Sequence, residues 1–229
     1  MLNRLQSWGR FFTQSLSLVT KDSCPLCQRS TAQTFCSDCQ HQLQRCQREP
    51  KWQRDQKLPI FAWGSYGGAL KRSIAALKYH NHPELAVSMG SWMANAWMQQ
   101  PEHQRAIVVP IPMHDRKQRE RGFNQAELLA KSFCALTGLR LEANGLRRIR
   151  DTEAQFRLSS GDRSQNLKDA FCLGSPFSKR LPTHPVLLLD DIYTTGATAR
   201  AAAQVLRSHG IRVQGIVVLA RSERSNFSQ

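Results

Sequence analysis

Residues 186–198 read Val186-Leu187-Leu188-Leu189-Asp190-Asp191-Ile192-Tyr193-Thr194-Thr195-Gly196-Ala197-Thr198. Four apolar residues end in two carboxylates and a turn of small residues. A helix pattern follows at once, over Gly196 to His209, and stops at Gly210. An apolar run of this length, bounded by turn signals, reads as a strand buried on both faces. In an open α/β sheet, ligands bind beyond the carboxyl ends of the strands. The motif therefore places Asp190 and Asp191 at a ligand-facing edge. Carboxylates there can accept hydrogen bonds from vicinal sugar hydroxyls. The turn Thr194 to Thr198 can wrap backbone N–H groups and three hydroxyls around a phosphate. Gly196 permits close approach, and a helix N-terminus favours the anion. No G-x-x-x-x-G-K-[ST] occurs, so the loop is not a Walker P-loop. The expected ligand is a ribose 5-phosphate moiety rather than the β and γ phosphates of ATP.

The neighbouring segments repeat the strand–helix alternation. Pro59 to Tyr66 has strand character and breaks at Gly67-Gly68. Ala69 to Tyr79 is helical, with Leu70, Ile74 and Leu77 on one face. Pro83 to Gln99 reads as a second helix, in which Trp92 and Trp97 are packing residues. Ala106 to Pro110 is a short buried strand. Gly122 to Thr137 is a helix ending at Gly138, Ala170 to Leu173 a short strand, and Ile211 to Leu219 a final strand. This order implies an α/β fold with a mostly parallel sheet covered by helices on both faces.

The first third of the chain has a different texture. Of seven cysteines, five lie between Cys24 and Cys46. Cys24-Pro25-Leu26-Cys27 and Cys36-Ser37-Asp38-Cys39 are two C-x2-C knuckles. Each knuckle points two thiolates at one ion, and two knuckles complete the tetrahedral shell of a structural Zn²⁺. A segment this short builds no core of its own, so the metal would supply folding energy. Cys46 and His41 are spare donors nearby. The N-terminus lacks the apolar core of a secretory signal, which favours metal ligation over disulfides and a cytoplasmic location. Residues 1–22 carry Leu5, Trp8, Phe12, Leu16 and Val19 at helical spacing, the pattern of an amphipathic helix. The expected organisation is that helix over 1–22, a four-cysteine zinc module over 23–45, a linker with little structure of its own over 46–58, and the α/β domain over 59–229.

Composition bounds the partners. The chain has 229 residues, 41% apolar, with 32 Lys and Arg against 17 Asp and Glu, a formal charge of +15. That apolar fraction excludes a fully disordered chain. The short apolar runs exclude a membrane-spanning helix, which needs about 18–20 apolar residues. The charge points to anions. The basic residues are spread along the chain, with dense clusters at 116–121 and at Arg147, Arg148 and Arg150. No aromatic side chain interleaves with the 116–121 run, so that run is a poor base-stacking platform.

The motif at 186–198 resembles the 5-phosphoribosyl-1-pyrophosphate (PRPP) binding motif of type I phosphoribosyltransferases. Val109-Pro110-Ile111-Pro112, Arg116 and Arg121-Gly122-Phe123-Asn124-Gln125-Ala126-Glu127-Leu128-Leu129-Ala130 narrow the resemblance to the ComF/GntX branch, the competence protein F family. Arg150 to Leu158, Arg163, Asn166, Ala170-Phe171, Tyr66-Gly67, Leu77-Lys78-Tyr79 and the cysteine module fit the same branch. The resemblance implies PRPP bound with Mg²⁺ and displacement of pyrophosphate from the anomeric carbon. It assigns Asp190 and Asp191 to the ribose 2- and 3-hydroxyls, directly or through Mg²⁺. It assigns Tyr193, Thr194, Thr195, Gly196, Ala197 and Thr198 to the 5-phosphate turn. The turn after Pro110 approaches the pyrophosphate, with Lys78, Arg116 and Arg121 as its neutralising cations. Catalysis would rest on Asp190, Asp191 and Arg121. Asn124 opens a helix, and both a capping role and a ligand role are open to it. Residues 150–170, with Thr152, Gln155, Arg163 and Asn166, read as a lid or hood that selects an acceptor. The family further implies a role in competence or DNA use, with single-stranded DNA and DNA-uptake proteins as partners. Two readings compete with an active transferase: a non-catalytic PRPP-fold accessory or scaffold, and a DNA-binding protein gripping the backbone with its zinc module and basic face.

Overall fold

The computed structural model describes residues 23–55, 58–100, 105–150 and 169–222. Helix α1 (Ser37–Gln44) closes the cysteine segment. Strands β1 (Trp52–Asp55) and β2 (Leu58–Ser65) precede helices α2 (Gly68–Tyr79) and α3 (Leu85–Met98). Strand β3 (Ile107–Pro110) leads into α4 (Asp115–Arg121) and α5 (Gln125–Thr137). Short strands β4 (Arg140–Leu141), β5 (Leu146–Arg148) and β6 (Phe171–Leu173) come next, then helix α6 (Ser175–Lys179). Strand β7 (Val186–Tyr193), helix α7 (Ala197–Ser208) and strand β8 (Val213–Arg221) complete the order.

Six strands form one sheet in the order β1-β2-β8-β7-β3-β4. All neighbours are parallel except β1 and β2. Strands β5 and β6 pair separately as an antiparallel ribbon. The pleat explains the two cores. Along β7, Leu187 and Leu189 point into one apolar cluster with Phe61, Leu70, Met93 and Phe133. Val186 and Leu188 point into a second, with Ile60, Val218, Ala202 and Leu206. Alternate side chains face opposite sides of a strand, so an unbroken apolar run requires helices on both faces. Helices α2, α3 and α5 cover one face, and α7 covers the other.

The helices start and stop where the residues dictate. The Asn124 side chain accepts from the Ala126 N–H at 3.1 Å and caps α5. Gly138 ends it in the left-handed region, which glycine adopts without a Cβ penalty. Helix α4 and strands β4 and β5 are additions to the elements expected from pattern.

Residues 46–58 differ from the expected linker. Trp52 to Asp55 pairs antiparallel with Leu58 to Phe61 and adds an edge strand. Gln47 bridges to Gly64. The physical reason is Trp52, whose ring packs edge-on against Phe61 at 5.9 Å and Trp97 at 5.3 Å. One packed indole outweighs the polar residues around it. The expected helix over 1–22 and most of the expected hood, 151–168, lie outside the described residues.

Candidate functional site

The cysteine cluster is built by two turns and one helix. A tight turn presents Cys24 and Cys27, with the Gln28 N–H donating to the Cys24 carbonyl at 2.8 Å. Cys36 and Cys39 flank the first turn of α1. The four sulfurs lie within 4.8 Å of one another, and Cys27 and Cys36 Sγ are 3.5 Å apart. Zinc–sulfur bonds of about 2.3 Å put tetrahedral sulfurs about 3.8 Å apart, so the cluster fits one such ion. Cys46 stands outside it and donates to the Gln42 carbonyl at 3.4 Å. Burial raises the Cys24 thiol, but backbone N–H groups of Cys36, Leu26 and Cys27 outweigh it and lower the group to about 7. A thiol poised near neutrality loses its proton readily to a metal. Cys134, buried in the core away from these donors, is pushed up to about 12.

The second assembly lies at the carboxyl end of the sheet. Leu189 pairs with Pro110, the last residue of β3, so Asp190 and Asp191 project just past that strand end. Asp191 is buried, 3% exposed, and its carboxylate is ion-paired with the Lys78 ammonium at the end of α2. Gln125, in the first turn of α5, donates Nε2 to Asp191 Oδ1 at 3.4 Å. The same amide accepts from Arg121 Nη1 at 2.5 Å. The Arg121 guanidinium lies 5.3 Å from the centre of the Tyr79 ring. Lys78, Asp191, Gln125, Arg121 and Tyr79 thus form one continuous polar chain drawn from α2, β7, α4 and α5. Burial, then the neighbouring Asp191 charge, holds the Asp190 carboxyl well above the usual carboxylate range. Two acids this close resist ionising together, and a cation between them relieves the repulsion.

Beyond the acids the chain turns sharply. Thr194 and Thr195 are exposed. Gly196 has φ +75° and caps α7. A Cβ there would land on the Tyr193 hydroxyl and within 2.7 Å of Arg200. Arg200 Nη1 donates to the Thr195 carbonyl at 2.9 Å and ties the turn to its helix. The turn is therefore held in a shape that only glycine fits, with exposed threonines at the amino end of a twelve-residue helix. Hydroxyls and free helix N–H groups are the donors a phosphate accepts from.

The expected residues distribute unevenly over this geometry. Asp190, Asp191, Lys78 and Arg121 converge, while Thr194, Thr195, Gly196, Ala197 and Thr198 form the turn beside them. Tyr193 is 2% exposed and sits in the second core cluster beneath Gly196; it supports the turn from below. Strict alternation from Leu187 and Leu189 would put Tyr193 in the first cluster, but by the end of β7 the faces have switched, with Ile192 against the first cluster and Tyr193 in the second. Arg116 lies on the exposed face of α4, 3.9 Å from Glu120 one helical turn away. Asn124 commits its amide to structure, accepting from Ala126 N and donating to the Ile111 carbonyl at 3.1 Å. Pattern reading missed Gln125 as the bridge between Arg121 and Asp191, and Arg200 as the brace of the turn. The only sequence signal for Gln125 is its place one residue after a cap, four after Arg121.

No protein-family model matches the chain. The chain is similar to Competence protein F of Haemophilus influenzae, 28% identical over 221 residues, covering 91% of this chain and 94% of that protein. It is similar to the DNA utilization protein YhgH of Escherichia coli K12, 28% identical over 217 residues, covering 87% and 90%. It is also similar to Competence protein ComFC of Bacillus subtilis, 26% identical over 196 residues, covering 85% and 75%. The resemblance to the competence protein F family thus extends over about nine-tenths of the chain. Among solved structures, the adenine phosphoribosyltransferases of Leishmania tarentolae and Leishmania donovani superpose with TM-scores of 0.42 and 0.41. They are 11% and 10% identical, covering 76% and 78% of this chain. No helix among the described residues is long and apolar enough to cross a membrane.

Proposed function

We propose that this chain binds PRPP as its Mg²⁺ complex at the carboxyl end of the sheet and serves in competence or DNA utilisation. The observation that carries the reading is the juxtaposition of the Asp190–Asp191 pair with the Gly196 turn on one strand–helix connection. The whole-chain likeness to competence and DNA-utilisation proteins supports the biological half.

The residues have distinct tasks. Asp190 and Asp191 are the acceptors for two adjacent ribose hydroxyls, or for a cation bridging them. A Mg²⁺ ion, when bound, would neutralise charge on the pyrophosphate. Thr194, Thr195, Thr198 and the first N–H groups of α7 receive the 5-phosphate. Lys78 pairs with Asp191 and Arg121 is linked to it through Gln125, and electrostatic stabilisation of a departing pyrophosphate is a large catalytic contribution. Gln125 keeps Arg121 and Asp191 in register, so the cation is placed before the substrate arrives. In the cysteine module, Cys24, Cys27, Cys36 and Cys39 would hold Zn²⁺ as a closed structural site with no open position for chemistry.

The test is calorimetric titration of Mg²⁺ and PRPP into the wild-type chain and into Asp190→Asn/Asp191→Asn. Binding by the wild type alone is expected. Absence of binding by the wild type removes the proposal. Binding without pyrophosphate release, with nucleobases, nucleotides or DNA supplied as acceptors, leaves a PRPP-binding accessory in place of a transferase.

A further inference from the structure

The two acids of the site differ in access. Asp190 is partly exposed, and its Oδ1 accepts the Asp191 N–H at 2.8 Å. Asp191 is closed off by the chain's own groups. Its Oδ1 accepts from Gln125 Nε2 at 3.4 Å, and its Oδ2 is ion-paired with the Lys78 ammonium. Apart from that ammonium, Oδ2 is a buried oxygen with no hydrogen-bond partner. An ionised carboxylate offers about four lone-pair sites, but a side chain 5% exposed leaves the others no open approach. The two covering groups are held differently. Gln125 is buried and gripped from its other side by Arg121. Lys78 is partly exposed, lies in the last turn of α2, and pairs with Asp191 alone among the described residues. A lysine is a point charge on a flexible four-carbon stem, so of the two it is the one free to swing.

We propose that Lys78 is a displaceable internal cation: it holds Asp191 closed until a divalent cation takes its place, and its charge then passes to the phosphates of the same ligand. A buried carboxylate stripped of its counter-charge is strongly penalised, so the ammonium leaves only if another cation compensates as it goes. A divalent ion meets that condition and also relieves the repulsion between Asp190 and Asp191. A bare ion, however, must break the Lys78 pair and offers the ammonium nothing in return. An ion carried by a phosphorylated ligand supplies both halves of the exchange, a cation for Asp191 and an anion for Lys78. The arrangement therefore couples the two ligands, so that cation and phosphate bind better together than either does alone. The transfer of charge to phosphates rests on the PRPP reading of this site. The displacement rests only on Lys78 and Asp191.

The full chain is titrated with Mn²⁺, with and without PRPP, and free Mn²⁺ is read by electron paramagnetic resonance. Lys78→Gln keeps a donor toward Asp191 but removes the competing charge. It should bind Mn²⁺ alone about tenfold more tightly than the wild type and lose the enhancement that PRPP gives the wild type. Lys78→Arg keeps the competing charge and should bind Mn²⁺ alone as the wild type does. Mn²⁺ affinity no higher in Lys78→Gln than in the wild type would overturn the proposal, as would an equal rise in Lys78→Arg. A second measurement needs no folded Lys78→Gln. In ¹⁵N-lysine-labelled wild type, the Lys78 ammonium signal, assigned by its absence from Lys78→Arg, should shift when Mg²⁺ and PRPP are added together. A signal unmoved while PRPP binds overturns the displacement and leaves the PRPP reading standing. A wild type that ignores PRPP, beside a Lys78→Gln that has gained Mn²⁺ affinity, removes the PRPP reading and supports the displacement.

Discussion

The ammonium of Lys78 pairs with the buried carboxylate of Asp191, joining the end of α2 to the end of β7. The two side chains are 15% and 5% exposed. Neither charge has much water, so each depends on the other. Breaking a buried pair by removing one partner leaves the other uncompensated, at a cost of several kcal/mol.

Lys78→Met should therefore destabilise the fold by about 3 kcal/mol, read from urea denaturation at neutral pH. Lys78→Met/Asp191→Asn should recover a large part of that loss, because the orphaned charge is gone. Equal destabilisation of the single and double variants would show that the cost lies in packing instead.

Asp190 gives a pH signature with a definite sign. Its carboxyl is raised in the folded protein by burial and by Asp191. A group raised on folding costs no stability below its unfolded value, about 4, where both states hold the proton. The cost grows as pH rises toward the raised value and is complete above it. Asp190→Asn should accordingly raise the melting temperature at pH 7, and the gain should shrink to nothing below about pH 4. A gain that persists unchanged at pH 3 would refute the assignment. If the acid pair serves a ligand, this stabilised variant should be the one that fails to bind PRPP.

Gly196 and Gly210 both have φ near +75°, but only Gly196 has neighbours where a Cβ would go. Gly210→Ala should cost about 1 kcal/mol, the backbone strain of the left-handed region. Gly196→Ala should cost clearly more, because Tyr193 must be displaced from the core beneath the turn. Comparison of the two melting temperatures isolates the clash from the backbone strain.

Chelation should act locally. Phe35 lies against Trp92 at 5.8 Å, and Cys39 and Leu43 are the buried residues of α1. Removing a metal from the four cysteines should increase hydrogen exchange over 24–44 while strands β3, β7 and β8 keep their protection. Cys36→Ser should reproduce the effect without chelator. Unchanged exchange in both experiments would argue against the metal.

The amino-acid sequence by itself determined the strand ending in Asp190, the glycine-centred turn after it and the paired cysteine knuckles. Each of these is local: a run of apolar residues, a residue type with a special backbone range, a ligand spacing of two. The parallel sheet also followed from sequence, because Val186 to Leu189 cannot bury both faces of a strand without helices on each side. Tertiary structure decided what crosses the chain. It placed Lys78 on Asp191, made Gln125 the bridge to Arg121, and turned Tyr193 inward beneath the turn where the motif had put it beside the ligand. It converted residues 52–55 from linker to strand through the packing of one indole. These relationships depend on distance in space between residues far apart in sequence, and no periodicity or spacing along the chain encodes that distance.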